Sequence, residues 1–419
     1  MTTMPQPAPV DLRPKKSAAA LIFLIVFLDL LGVGLIVPLT AYIVERFSAS
    51  GTAVAMLTMS YSAAQFVATP VLGALSDRYG RRPVLMLSLL GSAGGYLLFA
   101  TAGALPLLYA ARVLAGLTGG NISAAQAAIA DMTPPRDRAK AYGLIGAAFG
   151  LGFVLGPAFS SVLVRYGLMA PVWTAAGLSL VTFTLVAFFL PESLSREARR
   201  KSMNAGDFNP LGVLLRTMRI PMVTAMLGAI FATAFAHAEL RASLSVLLRD
   251  KFRYTEMQAA HVFTWIGFVA VMVQGGLVRR LSPRIGDRRS VLLGLPLAMA
   301  GYALIPVAPP GHWGPLIGAL TLMGLGAGLA TPSLTGILSR AAPSGQEGSV
   351  MGASQSIAAL GLVFGPMAAG PLYDYVGWSW PFWSASAFMA AAFVIVALLH
   401  VGKEGGGPEP LIAVEAGAV

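Results

Sequence analysis

The sequence predicts an all-α membrane protein whose twelve transmembrane helices form two six-helix, pseudo-symmetric halves. Three observations carry that expectation. Of 419 residues, 56% are apolar and 11% charged, with a mean hydropathy of +0.73; a soluble domain is nearer half apolar and a quarter charged. Twelve apolar runs approach the roughly 20 residues that a helix needs to cross a hydrocarbon core. A glycine–proline pattern in the first half of the chain also recurs in the second at a constant offset.

The runs lie at 18–40, 54–75, 84–103, 105–130, 140–163, 171–191, 220–246, 257–278, 291–308, 313–336, 347–370 and 379–400. Their many glycines and prolines are better tolerated in membrane helices than in soluble ones. The first run is long and lacks a small-residue cleavage site, so it reads as a retained span. Basic residues orient the set. With the N-terminus inside, only Arg46, Arg165, Arg249, Lys251 and Arg253 fall in outer loops, and Arg112 and Arg241 fall within spans. Every other Lys and Arg is on the inner side, so both termini are expected in the cytoplasm of a bacterium's inner membrane. The net charge of +11 is then a topological bias, not a nucleic-acid footprint.

The repeat sets the domain plan. Gly143, Gly152, Gly156 and Pro157 recur as Gly352, Gly361, Gly365 and Pro366, each displaced by 209 residues. A weaker echo relates Gly73 and Gly80 to Gly276 and Gly286. The expected units are a first half at 1–191, a cytoplasmic linker at 192–219, a second half at 220–402 and a tail at 403–419. Parallel halves of this kind place a substrate site between them near the midplane.

Composition narrows the chemistry. There is no cysteine, which removes disulfides, thiol catalysis and cysteine-bound zinc. No nucleotide-binding loop and no His/Asp/Glu set with metal spacing is present, so an enzyme, an ATP-driven pump, a metal site and a cofactor are not expected. Of 18 carboxylates, only Asp29 and Glu239 fall well inside spans, where ionisable groups are functional candidates by default. Asp29 with Arg112 reads as a proton carrier or a fixed structural pair. Glu239 reads as a second proton carrier, a counter-charge or a headgroup-level residue, with His237 and Arg241 on the opposite helix face. Gln65, Asn121, Gln126, Gln274 and Gln355, with Phe149 and Phe235, are candidates for the cavity wall.

Residues 73–85, GALSDRYGRRPVL, resemble the signature loop of the major facilitator superfamily. LYAARVLAGLTGG at 108–120 resembles that family's fourth-span motif, and 143–157 resembles the fifth-span antiporter motif of its twelve-span drug:proton branch. FLDLLGVGLIVP at 27–38 and LPES at 190–193 are also similar to that branch, and the tetracycline/proton antiporters give the nearest pattern. Two acidic positions of that pattern are occupied by Gly95 and Ala298.

The resemblance implies the major facilitator fold and alternating access. It also implies export of a lipophilic or amphipathic compound, a cation among the options, driven by protons; proton-coupled uptake of a small metabolite is the alternative. The expected partners are the cargo, protons and the lipid bilayer, and the fold forms its pathway as a monomer. In the signature loop, Gly73 and Gly80 allow a tight passage, alongside Arg82. Asp77 is expected to cap the eleventh span near Gly348, and Arg78 and Arg81 to pair with Asp131, as a cytoplasmic latch. The antiporter-motif glycines are expected to bring spans five and eleven against spans eight and two.

Overall fold

A computed structural model describes residues 16–119, 121–133, 138–197, 199, 214, 217, 218, 220–343 and 346–399. The expected linker lies largely outside the described residues, and the tail wholly so. Ten helices among the described residues are long and apolar enough to cross a membrane. They are spans one (Ala20–Glu45), three (Arg81–Thr101), five (Gly143–Tyr166), six (Ala170–Phe189), seven (Pro221–Asp250), eight (Glu256–Ile285), nine (Asp287–Val307), ten (Trp313–Ala341), eleven (Glu347–Val376) and twelve (Trp380–Leu398). Span two, Gly51–Tyr79, is 29 residues long but diluted by Ser, Thr and Gln. Span four is broken into Leu105–Leu117 and Asn121–Met132.

The break has a local cause. The Thr118 hydroxyl donates back to the Leu114 carbonyl at 2.9 Å, and the Gly119 N–H closes a tighter turn on the Gly116 carbonyl at 3.0 Å. The ladder tightens at Gly119, a poor helix former, and stops there. Span eight also departs from an α-helix, as a π-helical turn at Val273–Val278 around Gly275 and Gly276. It runs beyond the apolar stretch to Ile285.

Arg78, Arg81 and Arg82 between spans two and three, and Arg279 to Arg289 around the turn from span eight to span nine, mark one end of the bundle. This is the basic end; the other is the far end. At the far end one apolar core runs through both halves, joining Leu39, Ile43 and Val44 to Val246, Leu247 and Tyr254. Toward the basic end the first half keeps a core of its own, built from Ile22, Ile25, Leu85, Leu89, Ile145 and Val186.

Glycines show the same polarity. A methyl group added at Gly370 would lie 2.6 Å from the Thr52 Cα, and one at Gly267 would lie 2.5 Å from the Phe153 carbonyl oxygen. These contacts pack span eleven on span two and span eight on span five. Methyl groups at Gly73, Gly143, Gly275, Gly348 and Gly352, nearer the basic end of the same four spans, would meet nothing within 4 Å. The halves touch at the far end and part toward the basic end.

The repeated motif packs differently from expectation. Gly152 and Gly156 lie against Leu30 and Gly34 of span one, with added methyls 2.7 Å from Leu30 Cβ and 2.6 Å from Gly34 Cα. Gly361 and Gly365 lie against Ala234 and Ala238 of span seven, at 2.8 and 2.7 Å from their Cβ atoms. Each motif therefore closes a helix pair inside its own half. Pro157 and Pro366 follow those close approaches within spans five and eleven.

Candidate functional site

Span one brings Asp29 to a half-buried position. Near one turn later Gly32 leaves room for the Tyr96 hydroxyl, which would lie 3.6 Å from a methyl at that glycine. Asp29 and Arg112 both lie within electrostatic reach of the Tyr61 and Tyr96 hydroxyls. The Arg112 guanidinium sits over the Tyr61 ring at 4.7 Å and near the Phe99 ring at 5.8 Å, an arrangement that steadies a cation in an apolar setting. Gln65 donates to the Tyr61 hydroxyl at 3.3 Å and to the Gly119 carbonyl at 2.8 Å. The break in span four is thus tied to span two beside Arg112.

A small cavity of about 70 Å³ occupies the apex of the cleft, lined by Val33, Thr40, Tyr61, Gln65, Arg112 and Arg241 among others. That is room for a few waters, well below the roughly 300 Å³ of a drug-sized pocket. Arg241 reaches it from the second half, with its guanidinium 5.9 Å from the Phe153 ring of span five. Two guanidinium groups, one from each half, therefore face one space.

Span seven resolves its own ambiguity. Arg241 takes the cleft side, while the His237 Nδ1 lies 2.6 Å from the Thr233 carbonyl oxygen and its ring meets the buried Tyr302 of span nine edge-on at 6.2 Å. Glu239 points the other way and is fully buried, with its carboxyl group beside Ser384 of span twelve. It is not among the residues lining the cavity that Arg241 reaches. Phe235, one turn earlier on that buried face, packs on Phe388 with the ring centroids 4.1 Å apart and the planes tilted by 30°. Phe149 packs into the core of the first half. Gln126, Gln274 and Gln355 are exposed; the Asn121 side chain lies outside the described residues.

At the basic end Arg81 is the hub. Its guanidinium meets Asp77 at 2.5 Å, Ser76 at 2.7 Å and Asp131 at 3.1 Å. The expected Arg81–Asp131 pair is present. Arg78 instead lies over the Tyr79 ring at 5.4 Å, and Asp77 serves Arg81 and makes no cap on span eleven. The reason is the separation of the halves, since Gly348 faces open space. Gly80 takes a φ of +110°, which favours glycine. The N–H groups of Arg81 and Arg82 then donate to Glu192, at 2.8 and 3.3 Å, and the Arg82 side chain donates to the Ala187 carbonyl. Glu192, within the LPES stretch, thus caps span three.

Residues 22–302 and 277–416 match the Major Facilitator Superfamily. The chain belongs to that family. The tetracycline resistance protein, class C, of Escherichia coli is 31% identical over 392 residues, covering 92% of this chain and 96% of the relative. Major facilitator superfamily domain-containing protein 10 of Mus musculus is 31% identical over 359 residues, covering 81% of this chain and 77% of the relative. A crystal structure of the human organic anion transporter MFSD10 superposes with a TM-score of 0.71 at 27% identity, over 93% of this chain and all of that one. The fold is that of a membrane transporter.

Sequence reasoning passed over three residues that the geometry makes prominent. Tyr61 lies under Arg112 but carries no charge to flag it. Arg241 was visible as an intramembrane cation, yet its face was undecided. Asp374, in the last turn of span eleven, lies beyond the apolar run that marks that span in the sequence and is distant in sequence from what it touches.

Proposed function

We propose that this transporter exports a lipophilic or amphipathic, drug-like compound in exchange for protons, by alternating access. The observation that carries the reading is a cleft open at the basic end whose closed apex holds Tyr61 and Arg112, with Asp29 within electrostatic reach of them. Taking the basic end as cytoplasmic, this state loads cargo from the cell. Similarity to tetracycline resistance proteins supports the export direction.

Asp29 is the proposed proton carrier. An exporter needs cargo and proton to exclude one another, and a neutral or cationic compound displacing a proton from Asp29 meets that need. Each proton entering down a 100 mV potential releases about 2.3 kcal/mol, enough to sustain a gradient of tens-fold. Arg241 faces the same cleft, while the buried Glu239 exchanges a proton only in a state that separates span seven from spans eleven and twelve.

A second reading rests on the two guanidiniums at the apex. An anionic cargo held by Arg112 and Arg241 binds better when Asp29 is protonated, which couples cargo and proton in the same direction and makes the protein an uptake carrier. The human relative's description as an organic anion transporter adds weight to an anionic cargo. Proteoliposomes with a trapped pH-sensitive dye decide between them. Tetracycline or a lipophilic cation that triggers proton release from the acidic compartment, with Asp29→Asn silent, supports antiport. Proton movement that follows an organic anion in the same direction replaces antiport with uptake.

A further inference from the structure

At the far end the halves are joined by a set of polar contacts that the cleft does not use. The carboxylate of Asp374, in the last turn of span eleven, accepts from the Ser50 hydroxyl at 2.6 Å and from the N–H groups of Gly51 and Thr52, both at 2.8 Å. These are the first residues of span two, so a carboxylate from the second half caps a helix of the first. Orphan N–H groups and the helix dipole both favour a negative charge there. Around it, Arg249 at the end of span seven donates to the carbonyls of Ala41 and Ala49, at 3.1 and 2.9 Å. Tyr42 donates to the Tyr254 carbonyl at 2.7 Å. Within the second half, Tyr373 donates to Asp250 at 3.1 Å, and Arg249 pairs with Asp250 at 2.7 Å.

The arrangement is specific to span two. Span eight, its counterpart in the other half, caps itself: the Thr255 side chain and Gln258 close a reciprocal box at its N-terminus. Ser50 accepts from the Ala53 N–H at 3.3 Å, but its proton and the next two N–H groups go to Asp374. Span two therefore has a partly borrowed cap, available only while the halves meet at the far end. Near its other end span two carries Asp77, whose carboxylate meets Arg81, while Gly348 at the N-terminus of span eleven meets nothing within 4 Å.

We propose that Asp374 is a positioning residue of the transport cycle. It holds the far end shut in the state open at the basic end, and it alternates with Asp77, which takes the same role on span eleven when the basic end closes. One carboxylate at each end of the span two–span eleven pair caps the partner's helix, and only one cap is made at a time. Arg249 and Tyr42 brace the same closure from spans one and seven.

Because the chain has no cysteine, paired labels can be introduced without removing any. One pair, Tyr166→Cys with Val307→Cys, reads the far end; the other, Tyr79→Cys with Gln346→Cys, reads the basic end. In Asp374→Asn the far-end distance should lengthen and the basic-end distance shorten, the ratio of the two states moving by about tenfold, because hydrogen bonds to a charged acceptor carry at least that factor. Asp374→Glu should restore part of the shift, and adding Asp77→Asn to Asp374→Asn should move the ratio back. If Asp374→Asn fails to fold, Ser50→Ala must move both distances in the same directions by a smaller factor. Distances unchanged in a folded Asp374→Asn, or in Ser50→Ala where that stands in, overturn the proposal. So does a double variant no different from Asp374→Asn.

Discussion

The two ends of this transporter are built from the same four spans and differ in what fills the space between them. At the far end spans two and eleven meet through Gly370 and Thr52, and spans five and eight through Gly267 and Phe153, under one apolar core shared by both halves. At the basic end the same helices carry glycines that touch nothing, while Arg81 gathers Asp77, Asp131 and Ser76 within the first half alone. The lesson is that small residues in this fold do two jobs. Some hold a helix pair permanently, and others keep a surface smooth for a contact made only in the opposite state.

The largest test of that distinction is Gly156→Leu against Gly143→Leu. Gly156 abuts the Gly34 backbone, so a leucine there must push spans one and five apart. It should cost several kcal/mol, beyond the ~1–3 kcal/mol typical of overpacking, and prevent recovery of folded protein by size exclusion. Gly143→Leu should leave the melting temperature within a few degrees while blocking closure of the basic end, read as lost transport with retained binding. A Gly143→Leu protein that fails to fold would erase the contrast.

Next in size is Arg112→Gln. It removes the cation from the apex while leaving Gln65 to hold the break in span four, so transport should fall at least about tenfold, as for loss of a hydrogen bond to a charged group. Folding should change little. Arg241→Gln then sharpens the comparison between cargoes: a fall confined to anionic substrates favours uptake, and unchanged anion handling removes that reading.

Smallest is Glu192→Gln at the basic end. It weakens the cap on span three and should lower stability by about 1 kcal/mol, seen as a modest drop in melting temperature with transport retained.

Much of this architecture is legible in the sequence because bilayer thickness and backbone satisfaction leave helices little freedom. The repeat and the signature loop point to two halves, and Gln65 and Arg112, both visible as polar groups within spans, line the apex cavity. What stayed hidden depends on which neighbour a residue meets. Gly152 and Gly361 announce a close approach, but nothing in their spacing says that spans one and seven, not eight and two, supply it. Glu239 and Arg241 are two residues apart and so must face apart, yet only packing against Gly365 and Ser384 decides which is buried. The Thr118–Gly119 break is a local hydrogen-bonding choice inside an apolar run that otherwise reads as continuous. That Asp77 meets Arg81 and not span eleven follows from the gap beside Gly348, which no sequence position encodes alone.

The most direct test of the central claim is proton release on cargo binding, measured with a pH indicator in weakly buffered solutions of purified protein. The account predicts that tetracycline or a lipophilic cation releases protons from the wild type and none from Asp29→Asn, at equal folded fraction. Proton uptake on binding, or release that persists undiminished in Asp29→Asn, would contradict it.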